Sequence, residues 1–194
     1  MPYVNPLHSG RMVLVPRVRN AFAELHVSSS PRGAIETQLE GVDPPISLYQ
    51  VNELSSHLGE GDVYNFPFLF HRDGIPWNEA NSYLLNLVRH KPLAGRPTDE
   101  IRRRAGKLLD YLMFCEDHKL DWLDFSAKRP ALRPTYKYFE HLGHLSGRSS
   151  AVVNQYTGVV YDFYKFVAAN RHDFDISRVD TVKEIKLLIE GVSG

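Results

Sequence analysis

The sequence has little of what disulfide-bonded or membrane-bound proteins depend on. It has one cysteine, Cys115, among 194 residues, so no intrachain disulfide can form and a reducing compartment is expected. No apolar run approaches the roughly 20 residues of a membrane span. The first residues, MPYVNPLHSG, lack the apolar core of a secretion signal. We therefore expect a cytoplasmic protein with no membrane contact.

Motifs of familiar catalytic and metal sites are also missing. There is no glycine-rich phosphate-binding loop and no local motif around a serine or cysteine nucleophile. His141 and His144 are three residues apart, as are Cys115 and His118, but structural zinc takes four ligands and nothing supplies a matching pair. We predict no metal, no cofactor and no catalytic residue. An enzyme whose site is assembled from distant residues stays open as an alternative.

The net charge is zero, yet the charges are unevenly distributed. Residues 1–88 have 5 Lys and Arg against 9 Asp and Glu, and residues 172–194 have 3 against 5. Residues 89–171 have 15 against 9, a net charge of +6. A basic excess confined to one segment is typical of a nucleic-acid partner, which we expect at this central segment.

Residues 1–90 are predicted to form a small β-containing part. Short runs with β propensity alternate with turn residues. The candidate strands are 12–15, 34–39 and 46–51. The pair Asp73-Gly74 predicts a hairpin turn, because both residue types tolerate positive φ. Asn78 is expected to cap a helix over 79–89.

Residues 91–171 have helical periodicity. Apolar residues at 3.6-residue spacing predict helices over 98–118, 134–144 and 149–170, with a packed turn or short helix over 121–127. Pro134 suits a first helical position, and Ser149 or Ser150 can cap the last helix. In that helix we expect Val152, Tyr156, Val159 and Phe163 to face the core and Ser150, Asn154 and Thr157 to face away.

This central region resembles the core-binding domain of tyrosine recombinases of the phage-integrase type. The resemblance covers approximately residues 89–170. It rests on Trp122 and Phe125, RPTYKY from Arg133, SSA from Ser149 and DFYKF from Asp162. It implies an α+β chain with a small β-containing N-terminal part (residues 1–90) and a four-helix, SAM-like integrase core-binding domain (91–171). Residues 172–194 would be a connector and helix toward a catalytic domain absent from this chain.

The resemblance implies a DNA-binding fragment of a site-specific recombinase or integrase that clamps duplex DNA for recombination. Its partners would be double-stranded DNA and other recombinase protomers, four of which form a synapse in the family. The family's catalytic residues lie in the domain that would follow, so none is carried over. The alternative is a helical protein-interaction module without DNA contact, which the acidic residues 1–88 favour.

The predicted DNA-facing surface combines the start of the last helix with the loop before the preceding one. A helix N-terminus favours a phosphate, and an Asn amide can pair with an adenine edge. The expected DNA contacts are Arg103, Lys107, Lys128, Arg133, Thr135, Lys137, Arg148, Ser149, Ser150, Asn154 and Thr157. The alternative is structural: the cations lie on solvated helix faces and the serines only cap.

Overall fold

A computed structural model describes residues 10–19, 21, 35–39, 46–50, 62–89, 97–144 and 149–179. Its strands are β1 (Met12–Val18), β2 (Ile35–Leu39), β3 (Ile46–Gln50) and β4 (Val63–Leu69). Its α-helices are α1 (Asn78–Arg89), α2 (Pro97–Asp117), α3 (Pro134–His144) and α4 (Ser150–Asn170). The predicted α+β class is confirmed. In the described ranges, no helix combines the length and the apolarity that a bilayer crossing requires.

The chain divides into two compact units. Residues 1–15 and 65–194 form one, which we call the helical unit, and residues 16–64 form the other, the β unit. The division differs from the boundary expected near residue 90, because α1 packs inside the helical unit. The ring centroids of Tyr83 in α1 and Phe163 in α4 are 5.8 Å apart.

Within the β unit, the structure describes one pair of antiparallel strands. β2 pairs with β3 in a register that sets Ile35 opposite Gln50 and Leu39 opposite Ile46. Both strands coincide with sequence predictions to within one residue at each end. The remaining strands, β1 and β4, pair with each other in a separate sheet, and both run across the division between the units.

β4 leads into the tight turn expected at Asp73-Gly74, where Gly74 has φ of +84°. The return is a single bridge between Phe70 and Pro76, since Pro76 has no N–H with which to extend a ladder. The buried Asn81 amide in α1 accepts from the Leu69 N–H at 2.8 Å and donates to the Leu69 carbonyl at 3.0 Å. This side chain acts as a substitute strand partner and joins α1 to the end of β4.

An aromatic cluster fills the centre of the helical unit. Trp77 is fully buried, and its ring centroid lies 5.2 Å from that of Phe163 and 5.4 Å from that of Trp122. Each large apolar side chain buried in this way contributes about 1.5–3 kcal/mol to stability. Trp122, which is half-buried, packs against this cluster, with its ring centroid 5.7 Å from that of Phe163.

Residues 121–127 form no helix, so of the two predicted alternatives, a packed turn or a short helix, the turn is confirmed. The Asp121 carboxylate accepts from the Leu123 N–H at 2.9 Å, and the Asp124 carboxylate accepts from the Ser126 N–H at 2.9 Å. Such side-chain bonds to the backbone two residues ahead offer the chain an alternative to helical hydrogen bonding. Among the described elements, the fourth α-helix is α1, which the sequence had assigned to the N-terminal part.

Candidate functional site

A polar groove of about 320 Å³ lies between α2 and α4 in the helical unit. Its lining residues are Glu100, Arg103, Arg104 and Lys107 from α2 and Asn154, Gln155, Gly158, Val159 and Asp162 from α4. We call it the α2–α4 groove. It brings together three of the predicted DNA contacts, Arg103 and Lys107 from α2 and Asn154 from α4.

Helical periodicity explains why α2 presents its cations to the groove. Ile101, Ala105 and Leu108 are fully buried, so this apolar stripe faces the interior of the helical unit. Residues 100, 103, 104 and 107 occupy one neighbouring stripe at the i, i+3, i+4 and i+7 spacing. On α4, i+3 and i+4 steps likewise join residues 154, 155, 158 and 162. This spacing is the sequence signal that places Gln155 and Gly158 on the same face as Asn154.

Arg104 is an internal connector rather than an exposed cation. Its Nε lies 3.2 Å from Glu100 Oε1, while its Nη1 lies 3.1 Å from the Tyr83 hydroxyl and 3.5 Å from Asp162 Oδ2. These contacts join α1, α2 and α4 through one guanidinium. Asp162 also lies 2.8 Å from Lys165 Nζ, so both groove carboxylates have cationic partners.

Lys107 and Arg103 leave positive charge at the groove. Lys107 Nζ donates to Gln155 Oε1 at 3.3 Å and lies 5.6 Å from the centre of the Tyr156 ring. Burial, followed by the charges of Arg104 and Arg103, lowers the pKa of Lys107. Arg103 has no hydrogen-bond or ion-pair partner among the residues that the structure describes. An anion entering here would relieve repulsion between neighbouring cations.

The basic loop before α3 is organised differently. The Arg133 guanidinium donates to three carbonyls: those of Ala127 at 3.2 Å, Lys128 at 3.3 Å and Arg178 at 3.0 Å. Arg178 in turn donates to the carbonyls of Phe125 at 2.7 Å and Ser126 at 3.2 Å. We call Arg133 and Arg178 the arginine clasp. A phosphate contact by Arg133, as the sequence predicts, would compete with these bonds.

Thr135 and Thr157 are not on the surface, so their predicted exposure is wrong. Their exposed fractions are 0% and 1%. The Thr157 hydroxyl donates to the Asn154 carbonyl at 3.2 Å, which satisfies it inside the protein. The buried stripe of α4 includes Val153 and Thr157, whereas Val152 and Tyr156, expected in the core, are only half-buried.

The remaining predicted contacts have mixed settings. Ser149 caps α4 as expected, with its hydroxyl accepting from the Val152 N–H. Ser150 and Lys128 are exposed, and Lys137 is half-buried. Arg148 lies outside the described residues. DNA contact by these side chains stays a prediction.

The buried tyrosines and the cysteine form a closed polar chain. The hydroxyls of Tyr111 and Tyr164 are 2.7 Å apart, and the Tyr164 hydroxyl also donates to the Trp122 carbonyl. Burial raises the pKa of both tyrosines well above the usual range and raises the pKa of Cys115 to about 12. These groups are inert at neutral pH. In the described ranges, no three His, Cys, Asp or Glu side chains are grouped to hold a metal ion.

One His-x-x-Arg spacing, as in the recombinase catalytic set, occurs at His8 and Arg11. His8 lies outside the described residues. Arg11 Nε donates to the Phe70 carbonyl at 3.2 Å, and its Nη1 lies 2.7 Å from Glu116 Oε2. Arg11 thus holds the N-terminal strand against α2, and the spacing gives no reason to assign catalysis to it.

Comparisons of the chain with protein-family models, curated proteins and solved structures found no match. The function is therefore argued from the groove itself.

Proposed function

We propose that the chain binds duplex DNA through the α2–α4 groove and its rim, as the N-terminal part of a tyrosine-type site-specific recombinase. The observation that carries the proposal is the meeting of Arg103, Lys107 and Asn154 in one groove. Each was chosen on sequence grounds alone, within a segment of net charge +6. Cations that neutralise backbone phosphates supply most of the affinity of such proteins for DNA.

The proposal that the chain belongs to a recombinase goes beyond DNA binding. It includes a SAM-like arrangement of the helices, a cytoplasmic location and assembly of four protomers on DNA. The sequence resemblance and the basic central segment support it. The chain's own contribution would be to position DNA for a catalytic domain.

A protein-interaction module is the second candidate. The groove carries two carboxylates, Glu100 and Asp162, beside its three cations, and residues 1–88 are net acidic. A surface of mixed charge suits a protein partner, which also carries both signs of charge, better than it suits DNA, which is uniformly anionic.

Salt dependence separates the two candidates. A labelled duplex is titrated with the full chain at several salt concentrations, and binding is followed by fluorescence anisotropy. If DNA is the partner, the logarithm of affinity falls with the logarithm of salt by about 0.9 for each phosphate neutralised. Absence of binding at low salt, or a slope near zero, would favour the protein-interaction module.

A further inference from the structure

We propose that the α2–α4 groove contains a phosphate subsite, in which Arg103, Lys107 and the Gln155 amide hold one phosphate group. The inference rests on the proposed function for the source of that phosphate, the DNA backbone. It adds the kind of contact, which is to a phosphate rather than to a base edge.

Hydrogen-bond donors dominate this part of the groove. The Gln155 Oε1 is occupied by Lys107 at 3.3 Å, so its amide group has only N–H donors left to offer. An arginine guanidinium and a lysine ammonium carry donors and no acceptor. A phosphate oxygen only accepts, as does the major-groove edge of guanine, whereas the edges of adenine and cytosine present donors as well. The arrangement therefore matches a phosphate, which, unlike guanine, is present at every position of a duplex.

The neighbouring carboxylates do not oppose an anion. Asp162 is paired with both Arg104 and Lys165, and Glu100 with Arg104. Because Arg104 is held on three sides, it acts as a positioning residue that neutralises the carboxylates and fixes the separation of α2 and α4. The charge left over at the groove is that of Arg103 and Lys107.

Gly158 leaves the groove open on the α4 side. A Cβ built at this glycine meets nothing within 4 Å, so no packing contact requires a glycine here. Glycine in a helix interior costs about 1 kcal/mol relative to alanine. Gly106 in α2 has equally open surroundings but does not line the groove. The two glycines are thus a matched pair for testing whether the groove must stay empty of side chains.

The first experiment compares adjacent arginines on two duplexes of unrelated sequence. Arg103→Gln and Lys107→Gln should each weaken binding about tenfold on both duplexes, as expected for a lost charged hydrogen bond. Each should also lower the salt slope by about 1. Arg102→Gln removes the same charge from an exposed residue outside the lining and should change affinity less than about twofold. Equal losses at Arg102 and Arg103 would overturn the subsite.

The second experiment fills the groove without changing charge. Gly158→Leu should weaken duplex binding about tenfold, the loss expected when charged hydrogen bonds to one phosphate are blocked, with an unchanged circular dichroism spectrum. Gly106→Leu should bind like the parent. If Gly158→Leu is folded and also binds like the parent, no phosphate enters the groove and the inference is wrong.

A small phosphate probe separates failure of the subsite from failure of the DNA proposal. Inorganic pyrophosphate is added to the full chain, and backbone amide NMR signals of α2 and α4 are followed. Shifts at Arg103 and Gly158 without duplex binding would support the subsite for a smaller phosphate ligand and end the DNA proposal. Duplex binding without such shifts, and with no effect of the groove variants, would keep DNA binding and end the subsite.

Discussion

The α2–α4 groove and the arginine clasp are both basic, but their cations are used differently. At the groove, Arg103 has no hydrogen-bond or ion-pair partner among the described residues, and the pKa of Lys107 is lowered first by burial and then by its cationic neighbours. At the clasp, Arg133 and Arg178 donate to five backbone carbonyls between them. One region keeps positive charge available to a ligand, whereas the other uses it to hold the fold together.

The difference teaches that a charge count does not predict a binding surface. Arg103, Lys107 and Arg133 all contribute to the +6 of residues 89–171, and all three were expected to contact DNA. A guanidinium that satisfies buried carbonyls contributes to stability, and removing it leaves those acceptors without partners. The two regions can therefore be separated by measuring stability and DNA affinity on the same variants.

The largest expected effect is on stability at the clasp. Arg133→Gln should lower the free energy of unfolding by about 3 kcal/mol, because three carbonyls, two of them in partly buried bonds, lose a charged donor. Arg103→Gln should change it by less than about 0.5 kcal/mol, as is usual for a surface substitution. Urea denaturation followed by circular dichroism measures both. Equal losses would remove the distinction between the two regions.

A smaller effect should appear in the pH dependence of DNA binding. The pKa of Lys107 lies below its ordinary value of 10.5, so its positive charge is lost as pH rises through a window below 10.5. Affinity for duplex should fall in that window, by up to about tenfold for a lost charged contact. Lys107→Arg should abolish the dependence, since arginine stays protonated. Anisotropy titrations from pH 8 upward measure both proteins.

Stability must be followed in the same pH range. Burial raises the pKa of Cys115 from its ordinary value of 9.0 to about 12. The folding stability that depends on the protonated thiol is therefore fully present below pH 9. That contribution is lost progressively as pH rises toward 12, because the unfolded chain ionises first. Tyr111 and Tyr164 act in the same direction. Both Lys107 proteins share this background, so only the difference between them reports on the groove.

The smallest expected effect is in the basic loop before α3. Lys128 is exposed and lies outside the groove lining, so Lys128→Gln should weaken duplex binding less than about twofold. Anisotropy at the lowest salt concentration gives the most sensitive measurement. A loss as large as that of Arg103→Gln would extend the DNA surface to the loop and blur the comparison.

The elements with strong local signals were predictable from the sequence. The helical spacing of apolar residues located α3 and α4, Asp73-Gly74 located the turn, and Ser149 was identified as the cap of α4. In these places local propensity and tertiary structure agree. At 121–127 the sequence left a turn and a short helix open. The turn forms because two aspartates accept from the backbone two residues ahead, and composition alone does not decide between the two structures.

The site was predictable only in part. Arg103, Lys107 and Asn154 were identified, but the packing of α2 against α4 that brings them together, and the Gln155 side chain that accepts from Lys107, were not. Thr157 was misplaced because a threonine that bonds its own helix backbone can occupy a buried position. Arg133 was assigned to DNA because the carbonyl of Arg178, which accepts one of its bonds, is distant in sequence. Contacts between residues so far apart in the sequence are determined by how the elements pack, which local sequence patterns do not specify.

The arginine clasp also fixes the course of the chain after α4. Phe174 stacks on Phe125 with ring centroids 5.5 Å apart, and Val179 is 2% exposed. Left unbound, the nine residues after α4 would be a tether with a reach of about 30 Å. Docked in this way, they give the segment that follows Val179 a fixed origin, so that its encounters with the surface of the helical unit occur at a high effective concentration.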